Sequence, residues 1–335
     1  MSTAKLGRPE DASSFKNRKV LVTGGAGFIG SHLVQSLNEA GAEVHVLDNL
    51  SHPVESSLRL LEPLATKLMV KDQAEVFEHP DTLDLSSFDY LFHLASLSTV
   101  YDSVARPFDD FSSNYRSTFL LLERLRNLKR KPKLIYASSA AVYGNGNAIL
   151  KEDDSYQPIS PYGVSKLAGE RMVSVYAGIY EVPAVSLRLF PVYGPRQRKQ
   201  VVYDLIKRLH NDSSELVVRA PSTYGRDFTF VTDIVAAFRL AALKIPGDGK
   251  AYNASSGKFV TLQELVNAIV AATGFTPRVH FDTNAQKSDA FSMQADISKI
   301  STFGFRPSVG LSEGIQRTVD WYRDAMGAIP FRKTG

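Results

Sequence analysis

The chain has 335 residues, a formal net charge of +4, 44% hydrophobic and 22% charged residues, and no cysteine. That length suits one large domain or two modest lobes, and the balance of apolar to charged residues excludes a disordered chain. The missing thiols exclude disulfides, thiolate nucleophiles and cysteine-ligated zinc. The short basic runs at 129–131 and 196–199 are expected at solvated surface, which argues against a nucleic-acid partner.

No run approaches the roughly 18 apolar residues of a membrane span, and the first residues lack the apolar middle of a secretion signal. A cytoplasmic protein without a membrane partner is therefore expected. In chain order, 19–23 reads as a short buried strand, followed by glycines and a helical pattern at Ile29, Leu33, Val34 and Leu37. Gly41 closes that helix, and 43–47 supplies a second strand ending at Asp48. Apolar runs at 68–70, 90–94, 134–137 and 184–190 alternate with helical segments, among them 113–128 and 162–180. Strands alternating with helices predict an α/β fold, a doubly wound parallel (Rossmann) sheet, occupying 18–190 with 228–255 returning to it. A smaller mixed α/β lobe is expected from 191–227 and 256–335. Within it Thr261 and Glu264 have the spacing of a capping box.

Between the first strand and helix lies Thr23-Gly24-Gly25-Ala26-Gly27-Phe28-Ile29-Gly30. Glycines there admit a pyrophosphate to the backbone amides at a helix N-terminus. Asp48, at the end of the second strand, is placed to accept both ribose hydroxyls and to repel a 2′-phosphate, which favours NAD over NADP.

Tyr162 and Lys166, four apart at the start of a helix, lie on one face, where an ammonium lowers the pKa of a phenol and makes it a usable base. Ser139, at the end of the 134–137 strand, is placed where open parallel sheets carry their crevice. The seven histidines show no metal-binding pair, so no metal is expected, and His45 and His93 are read as structural.

Taken with His93-Leu94-Ala95-Ser96, Asn114, Ser138-Ser139-Ala140-Ala141-Val142-Tyr143-Gly144, Ser160-Pro161-Tyr162-Gly163-Val164-Ser165-Lys166 and Arg226-Asp227-Phe228, this series resembles the extended short-chain dehydrogenase/reductases. Within them it is closest to the NAD-dependent nucleotide-sugar epimerases and dehydratases. The resemblance implies Ser139, Tyr162 and Lys166 as the catalytic trio. It implies a cofactor site of Gly24, Gly27, Phe28, Ile29, Gly30, Asp48, Asn49, Leu50, Leu94, Ala95, Ser96 and Asn114, together with Tyr162 and Lys166. It further implies contacts to a nucleotide-diphosphate sugar from Ser98, Ser139, Tyr162, Arg196, Arg226 and Lys287, and a homodimer formed through the helices of 113–128 and 162–180.

The shared opening step of that family is oxidation of a sugar hydroxyl, commonly at C4, with hydride passing to NAD. Dehydratases that resemble this chain carry an acid and a base just after the serine or threonine; here those positions are Ala140 and Ala141. Alanine transfers no proton, so a 4-epimerase is expected. A decarboxylase, an unusual dehydratase, a reductase and a non-catalytic NAD sensor stand as alternatives. Pro191 replaces a frequent asparagine and leaves one substrate contact in question.

Overall fold

The computed structural model describes residues 14–51, 55–144, 149–282 and 292–326. Seven parallel strands form the central sheet: β1 (Lys19–Thr23), β2 (Glu43–Asp48), β3 (Lys67–Val70), β4 (Tyr90–His93), β5 (Lys133–Ser139), β6 (Ala184–Leu189) and β7 (Asp248–Ala254). Their spatial order is 3-2-1-4-5-6-7. The order reverses between β1 and β4, and in such sheets the crevice opens at the carboxyl ends of the strands around that point.

Successive strand residues point to opposite faces. Val20, Val22, Phe92, Ile135 and Ala137 enter one apolar core, whereas Leu21, Leu91, Leu134 and Tyr136 enter another. A sheet buried on both faces needs apolar residues at consecutive positions, which is why its central strands read as unbroken hydrophobic runs. The first face is covered by α1 (Phe28–Glu39) and the Val231–Leu243 helix; the second by α2 (Ser117–Arg126) and α3 (Pro161–Tyr180).

Outside the central sheet lie the Val201–Asn211, Leu262–Thr273 and Leu311–Ala325 helices and short strand pairs, among them Glu215–Val218 with Arg278–Phe281. Thr261 and Glu264 form the reciprocal capping box. The helix expected over 113–128 differs in form: Phe111–Arg116 is a wider π-helical turn, and regular helix begins only at Ser117. Among the described residues no helix is long and apolar enough to cross a membrane.

Candidate active site

The loop after β1 depends on glycine for space. Gly24 has φ +72°, and a Cβ there would lie 2.7 Å from the Ala95 amide nitrogen; at Gly30 it would lie 2.0 Å from the Gly24 carbonyl oxygen. The first turn of α1 starts at Phe28, Ile29 and Gly30 with Gly27 as N-cap, and no side chain caps it. Amides in such a turn have no intrahelical acceptor and suit an anion. Asp48 stands beside them: its Oδ2 accepts from Ala26 N–H at 2.9 Å and its Oδ1 from Leu50 N–H at 2.8 Å. Asn49 donates to Asp72 at 3.3 Å, and Asp72 caps the next short helix through Ala74 N–H. The glycine cradle, the uncapped helix start and the adjacent carboxylate fit a dinucleotide.

A directed hydrogen-bond chain fixes the end of β4. Thr118 gives its hydroxyl hydrogen to the Asn114 carbonyl (2.6 Å), so it accepts from His93 Nε2–H at 3.0 Å. His93 Nδ1 then accepts from the Thr23 hydroxyl at 2.8 Å, and Thr23 Oγ1 accepts from Ala95 N–H at 3.2 Å. The imidazole is neutral, since burial, aided by the nearby Lys166 charge, pushes its pKa down to about 3. This chain sets Leu94, Ala95 and Ser96 beside the glycine loop. Asn114 does not point a vacant amide at a ligand: its Nδ2 donates to Leu97 O and Asp110, and its Oδ1 accepts from Leu97 N–H.

Ser160 caps α3 by accepting from Gly163 N–H at 3.1 Å, and Pro161 occupies the first turn, where its missing N–H does no harm. Gly163 packs against the turn after β5; a Cβ would stand 2.7 Å from the Ala141 carbonyl oxygen. That close approach sets Tyr162 beside the Ser139 hydroxyl, which favours the ionised phenol. Lys166, almost wholly buried, donates to the Ala137 carbonyl at 2.9 Å, and its ammonium lies 5.9 Å from the centre of the Tyr162 ring. The trio is thus assembled, with one departure from expectation. Burial raises the Tyr162 pKa, the nearby Ser139 hydroxyl only partly offsets it, and the Asp110 charge adds to the rise, so the lysine does not yield an acidic phenol here. Burial also brings Lys166 down to about 8, with the Asp110 charge pulling the other way.

A buried network that sequence reading missed lies under this segment. The Arg188 guanidinium grips Glu170 of α3 through two bonds of 2.6 and 3.0 Å, and Ser138 donates to the same carboxylate at 2.7 Å. Arg188 also donates to the Tyr143 and Tyr156 hydroxyls, and Tyr143 in turn to Asn253. Tyr143 is only 1% exposed, so it is a packing residue and offers no face to a sugar.

The residues expected to meet a sugar nucleotide are less convergent. Arg196, at φ +71°, is not a surface cation; it turns onto α1 and donates to Ser31 and Gln35, while His32 bonds the Pro195 carbonyl at 2.9 Å. It fastens this turn to the cofactor helix. Lys199 of the same basic run donates to Ser98 at 2.9 Å, joining the 196–199 run to the loop after β4. Arg226 is half-buried on a two-residue strand paired with Val260, next to an Asp227 carboxylate that accepts from Ser256, Gly257 and Ala295 N–H groups. Lys287 lies outside the described residues.

The model of the NAD-dependent epimerase/dehydratase family matches residues 20–255. UDP-glucuronate 4-epimerase 6 of Arabidopsis thaliana is 30% identical over 355 residues, an alignment covering 98% of this chain and 75% of the relative. Among solved structures, the Thermotoga maritima UDP-glucose 4-epimerase with UDP-glucose is 31% identical, with a TM-score of 0.82 over 92% of this chain and 100% of that one. The Bacillus cereus UDP-glucuronic acid 4-epimerase, in complex with UDP-glucuronic acid and NAD, is 30% identical, with a TM-score of 0.80 over 92% and 99%.

Proposed function

The chain belongs to the NAD-dependent epimerase/dehydratase family, and from that premise we propose that it is a UDP-sugar 4-epimerase whose base is Tyr162. The observation that carries this reading is the gathering of Ser139, Tyr162 and Lys166 at the head of a turn whose next two residues are alanines. Ser139 and Tyr162 lie side by side, so that one sugar hydroxyl can bond both. Tyr162 takes its proton, and Lys166, held one helical turn away by its bond to the Ala137 carbonyl, lies beside the ring. The glycine loop, Asp48 and the 94–96 segment would hold NAD, which when bound would supply reversible hydride transfer. Ala140 and Ala141 offer no second acid or base, so elimination of water has no catalyst beside Ser139.

The substrate lobe is formed by 191–227 and 256–335, with Arg226 as the diphosphate contact. Arg226 is half-buried, and an arginine's planar fork pairs with phosphate oxygens. Two copies associate through α3 and the 107–116 segment before α2, where Val164, Val175, Ile179, Phe108 and Phe111 expose apolar surface.

The test is incubation of purified protein with UDP-glucose, UDP-glucuronate and UDP-N-acetylglucosamine, without added cofactor, and product analysis by NMR. The C4 epimer of at least one sugar is expected at unchanged mass. Tyr162→Phe is expected to lose about 10²–10⁴-fold in turnover. Carbon dioxide release, a dehydrated product or a fully active Tyr162→Phe variant contradicts the reading.

A further inference from the structure

Asp110 ends the short Pro107–Asp110 helix and is fully buried, a rare place for a carboxylate. Its Oδ2 accepts from the Ser165 hydroxyl at 2.6 Å and its Oδ1 from Asn114 Nδ2 at 2.7 Å. With both oxygens accepting, the ionised form is the one this pocket satisfies. Ser165 sits between Tyr162 and Lys166 on α3, and Asn114 clasps both backbone groups of Leu97, at 2.7 and 3.0 Å. One carboxylate therefore ties the first turns of α3 to the loop after β4, with the π-helical turn supplying the Asp110 to Asn114 spacing.

The ionisable groups that feel Asp110 are Lys166 and Tyr162 of α3 and Tyr136 of β5. Arg106, one turn earlier, is engaged at the surface with Asp102 and Asp109.

We propose that Asp110 is a positioning residue for the catalytic pair, seating Tyr162 and Lys166 through Ser165 and locking that seat to the 94–99 loop through Asn114. The proposal rests on the reading of Tyr162 as the base. Its charge has a defined sign at each neighbour: a buried anion favours the Lys166 ammonium and opposes the Tyr162 phenolate. A merely structural carboxylate, remote from the pair, would alter stability and leave Tyr162 ionisation in place.

The experiment is a tyrosinate titration at 295 nm of NAD-loaded protein, taken as the difference between wild type and Tyr162→Phe, then repeated in an Asp110→Asn background. The Tyr162 midpoint is expected to fall on the order of one pH unit in Asp110→Asn, because an opposing anion is gone. Ser165→Ala keeps the charge and cuts only the tie; it is expected to lower kcat about tenfold at unchanged KM for the UDP-sugar that wild type converts. An unchanged midpoint, or no Tyr162 titration in either background, overturns the proposal, as does a Ser165→Ala variant with wild-type kcat. The titration needs no sugar, so it decides on Asp110 even if wild type converts none, an outcome that would sink the epimerase reading instead.

Discussion

His32 and His93 are both buried, and burial is the main cause that takes the pKa of each from 6.5 to about 3. Below pH 6.5 the unfolded chain binds protons that these folded imidazoles refuse, so stability falls as pH drops. At pH 5 each histidine costs about 2 kcal/mol relative to neutral pH. Asp110 and Asp227 act in the opposite sense from pH 3.8 upward, because burial raises their carboxyls. Urea denaturation at pH 7 and pH 5 checks this: His32→Asn is expected to remove about half of the acid-induced loss, and an unaltered loss would refute it. At Gly30 the argument is steric. An added methyl cannot stand 2.0 Å from the Gly24 carbonyl, so Gly30→Ala must open the phosphate cradle. The stabilisation that saturating NAD gives wild type stripped of cofactor, on the order of 3 kcal/mol at a hundredfold excess over Kd and read as a rise in Tm, is expected to vanish in this variant. A wild-type rise would show that the loop does not hold the cofactor.

Among the elements, α3 carries most of the chemistry and is anchored at two heights, by Ser165 to Asp110 and by Glu170 to Arg188 of β6. Removing one partner of a buried ion pair strands the other, so Glu170→Gln is expected to destabilise the fold by about 3–5 kcal/mol in chemical denaturation. A loss under about 1 kcal/mol would mean that solvent reaches Arg188. The site was legible where short-range spacing dictates geometry. Tyr162 and Lys166 are one helical turn apart, and the glycines follow a strand and open a helix. The ties of Asp110, Arg188 and Lys199 join residues 55, 18 and 101 positions distant, and no periodicity encodes them. Arg196 was open to two readings on sequence alone, and the turn's left-handed backbone settles where it points. The π-helical turn was invisible because its residues carry the same apolar pattern as regular helix.

For the whole molecule, the doubly wound sheet was readable because a parallel sheet covered on both faces demands contiguous apolar strands, and β1, β4, β5 and β6 supply them. The segments outside that sheet were less so: their strands have two to four residues, too few for a period to register. The proposed dimer depends on the exposed stripe of α3. Val175→Glu with Ile179→Glu is expected to give a folded monomer in sedimentation velocity, whereas wild type runs at twice the chain mass; a dimeric variant would move the interface elsewhere. The central claim concerns a sugar oxidised and reduced again inside one cleft. Its most direct test uses UDP-glucose carrying deuterium at C4, turned over by purified protein with no added cofactor. UDP-galactose that keeps the deuterium at C4 is the predicted result; label lost to solvent, or UDP-glucose recovered unchanged while other UDP-sugars are also untouched, would contradict it.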